Sequence, residues 1–516
     1  MRKADYPAQT EQWDVFEYRT EGISSGNPFV ERTIRGSFRS GTREVKVDGF
    51  YDGDGVYLVR YMPDEPGEVS FTIDGNYGGD RTEPFMGSFS VTKATEGNHG
   101  PVRVQDRTRL FYTDGTPHLS FGTTCYAWVH QSTALQEETL ASLTASPFNK
   151  IRFCIFPKHY DYNYNEPLTY PFEGTPGDTG GLDRSSMQRF TEEKPGNHWD
   201  FTRFRPEHFR RFDERIRDLM KHGIEADLIL FHPYDRWGFD GMGAEADDRY
   251  VRYCVARFAA FRNVWWSLAN EYDFIRSKKA EDWERIGRLV TACDPYGHLC
   301  SVHNGPTFYD FSRDWVTHCS CQGTSRYRST EQSAEFLDRY QKPVVWDEVL
   351  YEGNIDLGWG NITGEEMTRR FWEGMLRGAH VGHGETLLDA VDEQVDDAIL
   401  WWSHGGRLKG ESPERIAFLK KILKDVPGGP LLNQDPACWD AVCGIPANAP
   451  AGSYYLYYFS FLRPLFRDFH FPEDTVYRVD LIDTWNMTVT PLGEMSGNFR
   501  VVTGGKPWMA LRLTRV

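Results

Sequence analysis

The chain has 516 residues, more than one ordinary domain contains, so we expect two or three domains with large hydrophobic cores. Its composition is that of a globular protein, and the aromatic share of 15% suits both packed cores and clefts that stack on sugars. The formal net charge of -17 argues against nucleic acid or an anionic membrane as a partner, because binding phosphate groups requires a basic surface.

The cysteines and the apolar stretches bear on the compartment. Nine cysteines are scattered along the chain without the paired CxxC spacing of zinc sites, which fits reduced thiols. The basic N-terminus is not followed by an apolar signal-peptide core, and no run of about 18 apolar residues occurs. We therefore expect a cytoplasmic protein that does not enter a membrane, and we leave homo-oligomer formation open.

Residues 1–97 contain short segments of alternating polarity that are separated by turn residues such as Asp-Gly. Three of these segments are Glu44–Val47, Val56–Tyr61 and Val69–Ile73. Alternation with a period of two is typical of strands that bury one face. The pattern predicts a small N-terminal β-sandwich.

Residues 98–430 follow a different rhythm, in which apolar strand-like segments alternate with helical ones. One helical stripe contains Phe209, Phe212 and Ile216, between Pro206 and Gly223. The region contains eight candidate strands: Leu119–Cys125, Lys150–Phe156, Glu225–Phe231, Val264–Leu268, Leu299–His303, Val316–Cys321, Pro343–Trp346 and Ala379–Gly384. Eight strands suit a closed (β/α)8 barrel, and no GxGxxG or P-loop motif of nucleotide-binding sheets follows any of them.

Residues 431–516 return to strand-like segments, among them Tyr454–Phe459 and Tyr477–Ile482. These segments predict a C-terminal β domain with antiparallel strands. The expected fold class is therefore α/β, a TIM barrel flanked by an N-terminal β-sandwich and a C-terminal antiparallel β domain. The expected domain boundaries are 1–97, 98–430 and 431–516.

The ends of the predicted barrel strands carry polar and aromatic side chains. The fourth strand is followed by Asn270-Glu271 and the seventh by Asp347-Glu348. Because TIM-barrel active sites lie at the carboxyl ends of the strands, we expect Glu271 and Glu348 to face each other across the barrel mouth. A retaining glycosidase needs two such carboxyl groups about 5 to 5.5 Å apart. Further candidates for substrate contact are Tyr126, Trp128, Arg152, His232, Asp235, His303, Asn304, His383, Trp401 and Trp402. The three tryptophans are either ordinary core aromatics or sugar-stacking platforms, and the three histidines are either substrate ligands or hydrogen-bonded residues of the barrel rim.

Two of these strands resemble a known family. Val264–Glu271 and Pro343–Glu348 look like the acid/base and nucleophile strands of clan A glycoside hydrolases. Asn149–Lys158, Phe231–Asp235 and Trp401–Gly406 are similar to the apiosidase-related barrels of that clan, which carry an immunoglobulin-like N-terminal sandwich and a C-terminal β domain. The resemblance covers nearly the whole chain. It implies a retaining O-glycosyl hydrolase that acts on a carbohydrate and needs no cofactor.

The two carboxyl groups need different protonation states. Glu271 has to be protonated to donate to the leaving oxygen, and we expect Glu348 and the apolar Trp265-Trp266 pair to raise its pKa. Glu348 has to be ionised to attack, and we expect Arg152, if it points inward, to hold it so. Asn270 is expected to donate to the sugar hydroxyl beside the reacting carbon, and Glu271 then acts as base towards water.

Two nearby acids compete with Glu348 for the role of nucleophile. Strand alternation turns Asp347 away if Glu348 faces inward, and Glu352 lies too far along the loop. Glu348 is therefore the expected nucleophile.

The connection between Pro157 and Arg205 is unusually long and mixes tyrosines with acids and glycines. Long loops on the active face of a barrel shape its cleft. We therefore expect a pocket for a terminal sugar, with exo action on short oligosaccharides or glycosides.

Two other functions stay open at this point. A metal-dependent barrel hydrolase or isomerase would use His232, Asp235, His303, His318, His383 and Glu385, but HxH and HExxH spacings are missing. A non-catalytic sugar-binding protein would keep the fold, and the presence of both carboxylates argues against it. The leading expectation includes no metal.

Overall fold

The computed structural model describes residues 4–79, 82–164, 166–177, 196–323, 325–389 and 398–516. It contains a nearly closed barrel of eight parallel strands with helices around it, flanked by N-terminal and C-terminal β domains. This confirms the fold class predicted from the sequence. Part of the long connection expected to shape the cleft, residues 165 and 178–195, lies outside the described residues.

The N-terminal domain packs two β-sheets face to face. Its elements are β1 (Gln9–Glu11), β2 (Phe16–Glu21), α1 (Pro28–Glu31), β3 (Ile34–Ser40), β4 (Arg43–Asp48), β5 (Phe50–Tyr51), β6 (Val56–Tyr61), β7 (Gly67–Gly75) and β8 (Phe85–Thr92). One sheet has the order β1-β8-β7-β3-β4 and the other β2-β6-β5, and all pairings are antiparallel except β1 with β8. Alternate residues point inward, so Phe16 stacks on Phe89 with ring centroids 3.9 Å apart.

A hairpin that the sequence did not predict closes the amino-terminal end of the barrel. It consists of β9 (Val102–Gln105) and β10 (Arg109–Tyr112), paired antiparallel. Val102 and Leu110 pack with Trp265, Leu299 and Val345 in one buried cluster. The opposite end of the barrel, where the strands finish, is thus left for the loops.

All eight predicted barrel strands are present. In chain order they are β11 (Phe121–Thr124), β12 (Lys150–Cys154), β15 (Glu225–Phe231), β16 (Val264–Ala269), β17 (Cys300–Ser301), β18 (Cys319–Gln322), β19 (Val344–Glu348) and β21 (His380–His383). Every paired neighbour is parallel, and the order runs β17-β16-β15-β12-β11-β21-β19-β18. The fifth strand is much shorter than predicted. At the seam beside it, Thr317 N donates to Cys300 O (2.8 Å) and Ser301 Oγ to His318 O (2.6 Å).

Short strand pairs and helices connect the barrel strands. The strands are β13 (Phe172–Thr175) with β14 (His198–Phe204), and β20 (Glu352–Gly353) with β22 (Glu385–Thr386). The described helices are α2 (Thr133–Thr144), α3 (Pro206–Lys221), α4 (Ala244–Phe258), α5 (Ala280–Cys293), α6 (Ser333–Tyr340), α7 (Gly364–Leu376), α8 (Trp401–His404) and α9 (Ser412–Lys424), with 3-10 turns at Trp128–His130 and Tyr272–Phe274. Helix α3 begins at Pro206 and buries Phe209, Phe212 and Ile216, as the sequence pattern predicted.

Buried ion pairs join the N-terminal domain to the barrel helices. Arg60 of β6 donates to both carboxylate oxygens of Asp213 of α3, at 2.8 and 2.9 Å. Arg257 of α4 pairs with Asp213 at 2.6 Å and with Asp52 at 2.7 Å. Each of these charges therefore has a partner, as buried charges require.

The C-terminal domain is a β domain with antiparallel pairing. Its strands are β23 (Leu432–Gln434), β24 (Val442–Pro446), β25 (Tyr454–Tyr458), β26 (Phe466–His470), β27 (Val476–Asp483), β28 (Thr488–Ser496), β29 (Asn498–Val502) and β30 (Met509–Arg515). Six of them form a sheet in the order β23-β24-β25-β30-β27-β28, and β26 pairs with β29. Across the described part of the chain, no helix has the length and apolar character needed to cross a membrane.

Candidate active site

Glu271 follows the fourth barrel strand in a backbone conformation that non-glycine residues rarely adopt. Its φ of 48° and ψ of 56° lie in the left-handed region. Hydrogen bonds from Asn270 N to Phe231 O and from Tyr272 N to His303 O, both 3.0 Å, tie this turn to the neighbouring strand ends. Such strain, of order 1 to 3 kcal/mol, persists where the surroundings impose it and is frequent at functional sites.

Glu348 ends the seventh barrel strand, where the pairing with β18 is irregular. Cys321 pairs with Trp346, and Gln322 then pairs with Glu348, so Asp347 is skipped. The expectation that alternation turns Asp347 away from the barrel axis is therefore wrong. Asp347 points into the barrel interior, where Lys150 Nζ lies 2.5 Å and Arg152 Nη1 2.8 Å from its carboxylate.

Arg152 points into the barrel interior, but its ion-pair partners differ from the expected one. Its ion pairs among the described residues are with Asp347 and Asp227, and it does not pair directly with Glu348. Burial raises the pKa of Asp347, but Arg152 and Lys150 outweigh that effect and hold the pKa well below its usual range. Arg152 Nη2 also donates to Asn270 Oδ1 at 3.3 Å. Arg152 thus orients Asn270 from below the site.

Glu271 accepts hydrogen bonds on both carboxyl oxygens. Tyr234 Oη and Asn270 Nδ2 donate to Oε2, the latter at 3.2 Å. In the amide orientation that satisfies Gln322, its nitrogen donates to Glu271 Oε1 at 3.2 Å and to Asn304 O at 2.7 Å. These contacts fix the carboxyl group at the barrel mouth.

Glu348 is held mainly by two phenol groups. Tyr126 Oη donates to Oε1, and Tyr351 Oη donates to Oε2 at 2.6 Å. His303 Nε2 lies 3.9 Å from Oε1. In the amide orientation described above, the side-chain oxygen of Gln322 lies 3.4 Å from Oε2. Gln322 therefore contacts both carboxyl groups, although it was missed among the sequence candidates. Its position at the end of the sixth barrel strand is the signal that would have pointed to it.

The two carboxyl groups are buried, with 7% of Glu271 and 6% of Glu348 exposed. Burial, together with the negative charge of Glu348, raises the pKa of Glu271 to about 7. The expected contribution of Trp265 and Trp266 is wrong, because these residues lie further down the strand. Trp265 donates to Glu225 and Trp266 to Asp294. At about 3.3 Å per residue, the six steps from Trp265 to Glu271 span about 20 Å of extended chain.

Lys158, in the loop after the second barrel strand, lies inside a box of aromatic rings beside the two acids. Its ammonium nitrogen is 4.0 Å from the ring centroid of Tyr126, 4.5 Å from those of Tyr234 and Trp402, and 5.3 Å from that of Tyr160. Only 3% of the residue is exposed, and burial lowers its pKa to about 8, although both acids act in the opposite direction. The sequence shows Lys158 at the end of the second barrel strand, but we assigned it no site role, because a lone lysine after a strand has no distinguishing pattern.

Five of the other predicted residues belong to this cluster or to the layer directly under it. Tyr126 and Asn270 contact the carboxyl groups, and Trp402 contributes one wall of the lysine box. His303 is fully buried beside Glu348, and burial lowers its pKa well below the usual value, so its ring is neutral. Arg152 lies below, next to Asn270.

The remaining predicted residues make structural contacts instead. The Asn304 side chain accepts a hydrogen bond from the backbone N–H of Gln322. The Asp235 carboxylate accepts hydrogen bonds from the backbone N–H groups of Trp237, Gly238 and Asp240. A His232 ring nitrogen lies 3.1 Å from Phe156 O. Trp128, Trp401 and His383 are packed into the outer core: Trp128 donates to Gln136 O, Trp401 to Thr123 Oγ1, and His383 stacks on Phe148. All three side chains are therefore buried in the core and not in the cleft: Trp128 lies in the 3-10 turn Trp128–His130, Trp401 in α8, and His383 on the eighth barrel strand.

The residues considered for a metal site do not all lie together. Within the described ranges, the side chains of Glu352, His383 and Glu385 come close enough together to share an ion. His232, Asp235, His303 and His318 do not belong to that group. The carboxyl pair Glu271 and Glu348 is distinct from that group, and each of the two accepts a hydrogen bond from at least one tyrosine hydroxyl.

Comparisons with known proteins identify relatives of all three domains. Residues 105–427, more than half of the chain, match the family described as "Apiosidase-like, catalytic domain". Residues 9–76 and 439–514 match two domains of unknown function, DUF5060 and DUF5605. No curated protein matches the chain.

Two solved structures extend the comparison. A candidate glycoside hydrolase from Bacteroides vulgatus is 36% identical with a TM-score of 0.87, over 99% of this chain and 100% of that one. Another structure, described as a glycoside hydrolase, is 15% identical with a TM-score of 0.59, over 82% of this chain and 98% of that one. The second likeness bears on the fold alone.

Proposed function

Because the chain belongs to the apiosidase-like glycoside hydrolases, whose substrates are carbohydrates, we propose that it hydrolyses a terminal sugar with retention of the anomeric configuration. In this proposal Glu271 is the acid/base and Glu348 the nucleophile. The observation that carries it is the unequal environment of the two buried carboxyl groups. Glu271 has a pKa of about 7, whereas Glu348 accepts hydrogen bonds from the hydroxyl groups of Tyr126 and Tyr351.

The first chemical step forms a covalent glycosyl-enzyme. A carboxylate oxygen of Glu348 attacks the anomeric carbon, and the glycosidic C–O bond breaks with its electron pair on the leaving oxygen. Glu271 gives its proton to that oxygen, so the alcohol leaves neutral. Asn270, oriented by Arg152, is placed to donate to the sugar hydroxyl next to the reacting carbon.

The second step uses the same two residues in changed roles. Once Glu348 is esterified it carries no charge, which removes the repulsion that kept Glu271 protonated. Glu271 then takes a proton from water as the water oxygen attacks the anomeric carbon, and Glu348 leaves as carboxylate. Two inversions at one carbon give net retention.

Lys158 is the best candidate for a direct bond to the sugar among the residues that sequence reasoning missed. Its ammonium group makes no hydrogen bond or ion pair with another described residue, yet it lies within the field of both acids. A buried ammonium needs acceptors, and sugar hydroxyl oxygens supply them. The surrounding rings of Tyr126, Tyr234 and Trp402 offer flat apolar faces for the sugar ring.

Exo action is supported by aromatic side chains that close one side of the site. Trp359 and Trp402 lie 5.0 Å apart between ring centroids, and Tyr160 lies 5.8 Å from Trp402. They come from loops after the second, seventh and eighth barrel strands. Such a wall favours a pocket that ends at one sugar over a groove open at both ends.

The test is a screen of aryl glycosides in pyranose and furanose forms with the wild type and three variants. Glu271→Gln and Glu348→Gln remove the two carboxyl groups at nearly constant shape, and Glu245→Gln makes the same change at an exposed surface pair. The proposal expects Glu348→Gln to lose at least about 1000-fold in kcat and Glu245→Gln to keep wild-type rates. Full activity in either site variant, or a product of inverted configuration, contradicts it.

A further inference from the structure

We infer that Glu352, His383 and Glu385 bind a divalent metal ion that has a structural role, separate from the chemistry of Glu271 and Glu348. One ligand atom from each of the three side chains lies within 4.8 Å of the other two, and all three residues are buried. One imidazole nitrogen and two carboxylate oxygens are ligands that Zn²⁺ accepts. The ion would connect the loops after the seventh and eighth barrel strands.

The two carboxylates are directed at one point by the backbone that enters α9. Glu385 accepts from Lys409 N and Gly410 N at 2.7 and 2.8 Å, and Glu352 from Glu411 N and Ser412 N at 2.6 and 3.1 Å. A Cβ on Gly410 would lie 2.5 Å from Glu352 Oε2 and 2.7 Å from Glu385 Oε2. Each oxygen receives one backbone bond, which leaves a lone pair for an ion and resembles the outer hydrogen bonds of metal-binding carboxylates.

His383 supplies the independent sign of a ligand. Its Nε2 is buried and has no hydrogen-bond partner among the described residues. The other nitrogen, Nδ1, lies 3.3 Å from Thr123 Oγ1, which also accepts from Trp401 Nε1. With Nδ1–H donating to Thr123, Nε2 carries the free lone pair that a metal ligand needs.

The charges in the cluster also favour a cation. Glu352 and Glu385 bring two buried carboxyl groups within reach of one ion. The ammonium of Lys409, the lysine of the adjoining loop, is paired with Asp389 at 2.7 Å. A divalent ion would neutralise the charge of both carboxylates.

An ion at this site would also influence the position of Glu348. Glu352 follows Tyr351, whose hydroxyl holds Glu348, and β20 pairs with β22 through Glu352 and Glu385. Binding an ion between these strands would fix the loop that carries Tyr351. The ion would stabilise this arrangement without touching the sugar.

The test measures metal binding directly on the full chain without a histidine tag. After dialysis against EDTA and then metal-free buffer, Zn²⁺ is titrated by calorimetry, and the melting temperature is measured with and without the ion. We expect about one Zn²⁺ per chain beyond any thiol-bound ion and a melting temperature several degrees higher when bound. Glu385→Gln and His383→Gln should lose about 100-fold or more of that affinity.

Glu411→Gln is the matched control, because Glu411 lies in the same loop and its side chain is exposed. It should bind Zn²⁺ like the wild type. Absence of Zn²⁺ binding and of any melting shift in the wild type would overturn the inference and leave a shared proton as the occupant, as would unchanged binding in Glu385→Gln. Because these readouts do not use activity, their failure is distinguishable from failure of the proposed glycosidase, which Glu271→Gln and Glu348→Gln test separately.

Discussion

The Tyr351 hydroxyl donates to Glu348 Oε2 at 2.6 Å, while the Tyr351 ring lies against Gly384, at the end of the eighth barrel strand. A Cβ on Gly384 would lie 1.6 Å from the Tyr351 ring, so only glycine allows this position. The carboxyl group of Glu348 is therefore oriented by a residue that two strand ends hold in place.

Tyr351→Phe should keep the ring packing and remove the hydrogen bond to Glu348. Because a hydrogen bond to a charged group is worth about 1.5 to 3 kcal/mol, we expect kcat to fall about 10- to 100-fold with little change in KM. Tyr327→Phe, at a residue that is 88% exposed, is the control. A Tyr351→Phe variant with wild-type kcat would show that the hydroxyl does not position Glu348.

The pH dependence of kcat/KM should show the titration of Glu271. A group that donates a proton is active below its pKa, so activity should fall as pH rises through about 7. In Glu271→Gln, assayed with an aryl glycoside whose leaving group needs no proton, that basic limb should disappear. A limb that persists unchanged in the variant would assign the titration to another group.

Lys158→Met should weaken substrate binding and also change the pH profile. The Lys158 charge lowers the pKa of Glu271, so its removal should move the basic limb to higher pH. Loss of a charged donor to the sugar should raise KM about 10-fold or more. Lys46→Met, at an exposed position of β4, should change neither quantity. An unaltered KM and limb in Lys158→Met would remove Lys158 from the site.

Glu225→Gln should stabilise the protein at neutral and basic pH. Burial raises the pKa of Glu225 to about 8, although the hydrogen bond from Trp265 Nε1 lowers it in part. The folded chain thus binds a proton that the unfolded chain releases near pH 4.5, and stability falls as pH rises from there to about 8. Glutamine removes this dependence, and we expect the free energy of unfolding at pH 8 to rise by about 1 to 3 kcal/mol. Equal denaturant midpoints for both proteins at pH 5 and pH 8 would contradict it.

The pattern of strands and helices was predictable because it depends on local periodicity. The stripe of Phe209, Phe212 and Ile216 between Pro206 and Gly223 gave α3, and the apolar run before Asn270 gave β16. The strand-end rule likewise predicted that Glu271 and Glu348 lie together.

Contacts between segments that are distant in the sequence could not be predicted from local sequence patterns. The skipped pairing at Asp347, which turns both Asp347 and Glu348 towards the axis, depends on the register with β18. The role of Gln322 and the aromatic box of Lys158 depend on side chains from several loops. Sequence reasoning left open whether Trp128, Trp401 and His383 lie in the cleft or are structural, because a position near a strand end does not show which way a side chain points.

The most direct test of the two roles is to trap the glycosyl-enzyme. Glu271→Gln removes the base that activates water, while a dinitrophenyl glycoside of the preferred sugar needs no acid to leave, so the covalent intermediate should accumulate. Mass spectrometry of the digested protein is predicted to find the sugar on the peptide that contains Glu348, and on Glu348 itself. A sugar attached to another residue such as Glu352, or turnover to a product of inverted configuration without any adduct, would contradict the account.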